Sequence, residues 1–148
     1  MDALNYLAGE FSNVYNGSPW YGKPVCEVLK GIQPAAAFAR PAEKVHSIAE
    51  LLAHMISWRQ VLINSLEKNG KPKPKQHETF MTGTYGDNEE TMWQKMKETF
   101  DRQHQQITKL LSAATAAGKG GTLRLINGVI QHDIYHLGQI AMLKKELT

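Results

Sequence analysis

The sequence predicts an all-α protein, a four-helix bundle. Four long segments place apolar residues three and four positions apart, and no segment of useful length alternates as a strand would. The chain has 148 residues with 42% hydrophobic content, enough for one core without covalent staples.

The elements follow in order. Residues 2–16 carry Leu4, Leu7, Phe11 and Val14 at helical spacing, and Gly17-Ser18-Pro19 ends that helix. Trp20 and Tyr21 fall in a connector. Pro24 opens a short helical piece to about Lys30, and Gly31 and Pro34 break the pattern again. The second long helix starts at Ser47, where Ser47 and Glu50 have capping-box spacing. Its apolar stripe reads Leu51, His54, Met55, Trp58, Leu62 and Leu66, and Asn69-Gly70 is its expected stop. Residues 70–87 are rich in Pro, Gly, Lys and Thr, a long connection for so small a chain. Asp87 and Glu90 repeat the capping-box spacing. The third long helix follows with Trp93, Met96, Phe100, Ile107, Leu110 and Ala114, and fades at Ala117-Gly118-Lys119-Gly120-Gly121. The last helix runs from about Thr122 to the end, with a stripe of Leu125, Gly128, Val129, His132, His136, Gln139, Met142 and Leu143. Lys144 and Lys145 complement its C-terminal dipole. No repeat or second domain is evident, so residues 1–148 read as a single domain.

Composition excludes several classes. Lys and Arg number 17 against 14 Asp and Glu, a net +3 too small and dispersed for a nucleic-acid track. The local cluster Lys71-Pro72-Lys73-Pro74-Lys75 has no interleaved aromatics and reads as a stiff, solvated loop. The start, Met1-Asp2-Ala3-Leu4, lacks a basic end and a long apolar run, so no secretion signal is expected. No apolar run approaches the roughly 20 residues of a membrane span. The single cysteine, Cys26, forbids an internal disulfide, suits a reducing cytoplasm and reads as a packing residue.

The chemistry lies in the six histidines. His132 and His136 are four apart on one helix, about 6 Å along the axis and roughly 40° around it, so two imidazoles can reach one metal ion. Burying both side by side is costly unless each finds a partner, and a shared cation satisfies both. Gly128, one turn earlier, either leaves room for a ligand or permits a close helix crossing. His77 lies in the long loop. His46 precedes the Ser47 cap and packs at the helix start. His54 and His104 both lie on inner stripes; for His104 the expectation is a hydrogen-bonded core residue. The pattern alone leaves His54 as one inner histidine among several.

The stretch Ser47-Ile48-Ala49-Glu50-Leu51-Leu52-Ala53-His54-Met55-Ile56-Ser57-Trp58-Arg59 resembles the second helix of the DinB-like (damage-inducible, YfiT-like) metal-binding superfamily. The stretch Gly128-Val129-Ile130-Gln131-His132-Asp133-Ile134-Tyr135-His136-Leu137-Gly138-Gln139-Ile140 resembles its fourth helix, and Pro19-Trp20-Tyr21-Gly22 and the Trp93 helix are similar to it too. The resemblance implies up-down-down-up connectivity, with residues 70–87 as the long crossover between helices two and three. It implies a divalent metal, nickel or zinc, held by His54, His132 and His136, and a homodimer. Three imidazoles without a carboxylate would leave coordination positions open and the charge of the ion undiminished, unlike a closed structural site. Each ring would need an acceptor for its other N–H, with Gln139, Asn127 and Asp133 as candidates.

Relatives implied by the resemblance include bacillithiol S-transferases and a thiol-dependent isomerase. The expected function is therefore a bacterial metal-dependent enzyme joining a small thiol to a small electrophile, with Trp58 and Tyr135 at the pocket. The alternative is a non-catalytic metal-binding module in a stress response. Nucleic-acid binding is suggested only by the damage-related family name, and the mild charge argues against it.

Overall fold

Every regular element is helical among the described residues, 2–114 and 120–148, of the computed structural model. Helix α1 spans Ala3–Asn16, α2 Val25–Leu29, α3 Pro34–Phe38, α4 Ile48–Glu67, α5 Glu89–Ala113 and α6 Gly120–Leu147. Two 3-10 turns, Gln76–Phe80 and Gly83–Tyr85, occupy the connection between α4 and α5. The four long helices expected from periodicity are α1, α4, α5 and α6. None of the described helices is long and apolar enough to cross a membrane.

Local chemistry explains where the helices begin. Asp2 caps α1 by accepting from the Asn5 amide at 2.8 Å. At α4 the capping box forms: Ser47 Oγ accepts from the Glu50 amide (3.1 Å), and the Ser47 amide donates to Glu50 Oε2 (2.7 Å).

Three boundaries differ from expectation, and a fourth is not covered by the described residues. The stop of α4 is Lys68, not Asn69-Gly70. Lys68 takes the left-handed conformation (φ 53°), and the Asn69 amide closes the end on the Asn64 carbonyl. Helix α5 is capped by Asn88, one residue past Asp87, through its side chain and the Thr91 amide (2.9 Å). Pro34 starts α3 rather than only breaking a pattern, because its fixed φ and missing N–H suit the first turn. The expected fade of the third long helix at Ala117–Gly121 falls mostly on residues 115–119, outside the described residues.

Helix α4 packs against both α5 and α6, and α1 packs against the same two helices. Buried side chains from all six helices form one cluster, with Phe11, Leu52, Met55, Leu62, Trp93, Phe100, Ile107 and Ile126 among the most enclosed. Trp93 Nε1 donates to the Ile32 carbonyl (2.9 Å), fixing the linker before α3. Lys144 Nζ donates to the carbonyls of Val28 (2.9 Å) and Lys30 (2.7 Å) at the end of α2. The seam of α6 is displaced from the expected stripe: Ile126, Val129, Ile130, Leu137 and Ile140 are buried, whereas Gly128 and Met142 are exposed. The cause is that α6 faces α1, α2 and α4 together, which buries a broader and rotated face.

His104 is buried as expected, but its Nδ1 has no hydrogen-bond partner among the described residues. Its ring stacks on Tyr15 (3.8 Å between centroids) and Phe11 (5.1 Å). Burial pushes its pKa down to about 4; the Arg59 charge adds to this and the Asp101 carboxylate opposes it. The folded state therefore binds fewer protons than the unfolded chain between the ordinary imidazole pKa and about 4. The stability contribution is complete above that window and is lost as pH falls through it. Chemical denaturation from pH 7.5 to 4.0 should show a decline to which His104 contributes ~3 kcal/mol. His104→Phe, which keeps the stacking, should flatten the slope. An unchanged slope in that variant would remove His104 as a cause.

Candidate metal centre

His54 lies two turns inside α4, and His132 and His136 lie one turn apart on α6. The packing of α4 on α6 brings them together. His132 Nε2 stands 2.9 Å from His54 Nε2 and 3.1 Å from His136 Nε2. His54 and His136 are buried and His132 is half-buried. All three offer ligand atoms within 4.8 Å of one another, a group that could hold a metal ion.

The outer nitrogens decide which way these rings are protonated. Thr79 Oγ1 donates to the Gln76 carbonyl (2.6 Å), so its one proton is committed. It therefore accepts from His54 Nδ1–H at 2.6 Å. Gln139 Oε1 likewise accepts from His136 Nδ1–H (2.6 Å). Both rings thus present an Nε2 lone pair. His132 Nε2 lies against both, and its single proton can satisfy only one. Placing that proton on Nδ1 instead would leave it on a buried atom with no partner. A cation shared by three Nε2 lone pairs gives every one of them a partner and offsets the cost of a His132 Nδ1–H left without an acceptor among the described residues, so the donor set fits a divalent metal. Nitrogens about 2.1 Å from one ion stand about 3.0 Å apart at a right angle, close to the spacings here.

Burial keeps the rings neutral. Desolvation, reinforced by the neighbouring imidazoles, holds the pKa of His54 and His132 at about 4, and desolvation also lowers that of His136 against the opposing pull of Gln139 and Asp133. The lone pairs are available at neutral pH without proton release.

Of the three acceptors expected for the rings, Gln139 serves His136. Asn127 is exposed. Asp133 turns away from the imidazoles to pair with Arg59: Nε donates to Oδ2 at 2.9 Å, and Nη2 lies 2.8 Å from the same oxygen without hydrogen-bond geometry. Thr79 was not visible as a partner because it lies 25 residues from His54 in an irregular connection. Phe80, also unanticipated, is sandwiched between His46 (4.0 Å) and His54 (4.1 Å), both nearly parallel to it. The 3-10 turn Gln76–Phe80 therefore holds His54 by its edge and its face. His46 packs there as expected, although it is exposed, and His77 is exposed as expected. Trp58 lies 5.9 Å from the His132 ring and lines a cleft beside it, whereas Tyr135 stands largely in solvent, edge-on to His136 at 5.0 Å.

Thr79→Val keeps the shape of the side chain and removes the acceptor. Metal affinity should fall about 10–100-fold in competition with a chromophoric chelator, with helical content unchanged. An unaltered affinity would show that His54 needs no such partner.

A family model described as the DinB superfamily matches residues 25–140, a span that includes all three histidines. Comparison with curated proteins and with solved structures gives no match.

Proposed function

The chain belongs to the DinB superfamily, and from that membership and its three convergent imidazoles we propose a divalent-metal enzyme that transfers a small thiol onto small electrophiles. The observation that carries this reading is the approach of His54 Nε2 and His136 Nε2 to within 2.9 and 3.1 Å of His132 Nε2. His54, His132 and His136 are the ligands, and the ion is nickel or zinc. When bound, the ion supplies positive charge that favours the deprotonated form of a coordinating thiol or water.

The chain does the rest. Three neutral rings donate without offsetting the charge of the ion, and Thr79 and Gln139 fix two of them in the donating tautomer. Burial of His54 and His136 limits water on the protein side. The open face lies toward Trp58 and His132.

We read the connectivity as up-down-down-up in a single domain, with residues 70–87 as the crossover that carries Thr79 and Phe80 to α4. The same reading makes the protein a cytoplasmic homodimer with no nucleic-acid or membrane partner. Metal-loaded protein incubated with a panel of low-molecular-weight thiols and a chromogenic electrophile should turn over, and His132→Ala should not. Equal rates in the two proteins would remove the metal-thiol reading. The burial of two of the three rings also suits a second reading, in which the ion only staples α4 to α6. That reading is favoured if no thiol is consumed while the ion still raises the melting temperature.

A further inference from the structure

Gly128 has no structural reason to be glycine. It sits inside the 28-residue helix α6, where glycine is less favourable than alanine. It needs no left-handed φ, and a Cβ built there would meet nothing within 4 Å. The close helix crossing that the sequence left open is therefore absent, and the missing side chain opens onto a cleft of about 400 Å³. Trp58 of α4 forms one wall, Leu125 and Val129 of α6 form the other, and His132 and Arg124 are also in its lining. Arg124, Gly128 and His132 follow one another at single-turn spacing along one face of α6, so the cation and the imidazole are separated by about 12 Å of helix. No carboxylate lines the cleft among the described residues, and Arg124 has no ion-pair partner among them.

We propose that this cleft takes the electrophilic substrate, a small molecule with an aryl or alkyl body and one anionic end, the body lying over Gly128 against Trp58 and the anion meeting Arg124. The proposal rests on the metal-centre reading for its chemistry and on the cleft alone for its binding. An apolar lining with a single cation orients such a molecule by its charged end and brings its other end to His132. A cationic ligand would meet Arg124 at one end and the metal centre at the other, with nothing to offset either.

The test is calorimetric titration of metal-loaded protein, with metal content measured on each sample. The probes are 4-phenylbutanoate, butanoate and 4-phenylbutylamine. Phenylbutanoate should bind at least about tenfold more tightly than either control. Gly128→Leu, which fills the cleft and favours the helix, should lose about tenfold or more, and Gly128→Ala a smaller part. Arg124→Gln should abolish the preference for acid over amine and keep that for phenyl over butyl.

Wild-type-like titration of both Gly128 variants would overturn the proposal. So would an acid preference that survives Arg124→Gln, since the carboxylate would then be sitting on the ion. Chelator-treated protein separates the two readings. A phenyl preference that persists in a protein that never takes up metal sinks the metal centre and keeps the cleft. A full complement of metal with no phenyl preference sinks the cleft alone.

Discussion

Alanine at His54, His132 or His136, one at a time, is expected to reduce the metal content from about one ion per chain to background. Each ring contributes one Nε2 to a common point, and two imidazoles with no carboxylate bind a divalent ion far more weakly than three. The thermal consequence follows from linkage. An ion at 1,000 times its dissociation constant that binds only the folded state stabilises it by about 4.1 kcal/mol, a rise of roughly 8–16 °C for a chain of this size. That rise should vanish in all three variants. Elemental analysis and melting with and without chelator measure both effects. A variant that keeps its ion and its metal-dependent melting rise would take its histidine out of the centre. His104→Ala is the internal control, since His104 of α5 stacks on Tyr15 of α1 and its loss should leave metal content unchanged.

The second large effect is expected at Arg59 and Asp133, both almost entirely buried. The guanidinium sits over Phe100 (3.9 Å to the ring centroid) and near Phe11 (4.7 Å), with one carboxylate as its ionic partner. Asp133→Leu leaves Arg59 charged and unpaired in that enclosure, at a cost of about 3–5 kcal/mol. Arg59→Met should cost less. Burial already pushes the Asp133 carboxyl up, and without the guanidinium it can become neutral by taking a proton, a route arginine lacks.

The double variant should recover much of the loss, since apolar groups can fill the space without an orphaned charge. Urea denaturation of the four proteins gives the coupling directly, and simple additivity would mean that the pair does not interact. Asp133 lies between His132 and His136, and Arg59 lies five residues after His54. The pair therefore fixes how α4 and α6 meet, and the stable double variant should bind metal more weakly than wild type. Unchanged affinity there would separate stability from register.

Legibility differed by kind of feature. The helix start at Ser47 was readable because a cap is a contract between residues three apart, whereas the Asp2 cap came to light only in the structure. The Asn88 cap was missed by one residue because Asp and Asn are both competent acceptors and the sequence does not rank them. The α6 stripe was misplaced because periodicity gives the width of an apolar face, whereas its centre depends on which helices cover it.

What the sequence determined by itself is the helical class, the four long helices and the His132–His136 pair. All of these are written in contacts within one or two turns of a single chain segment. The likeness to a known family singled out His54. The tertiary structure decided that His54 and not His104 meets the pair, that Thr79 fixes its tautomer, that Asp133 serves Arg59 instead of an imidazole, and that Gly128 faces a cleft. Those outcomes depend on side chains far apart in the chain, whose meeting is set by how whole helices share one core, and no local spacing encodes that.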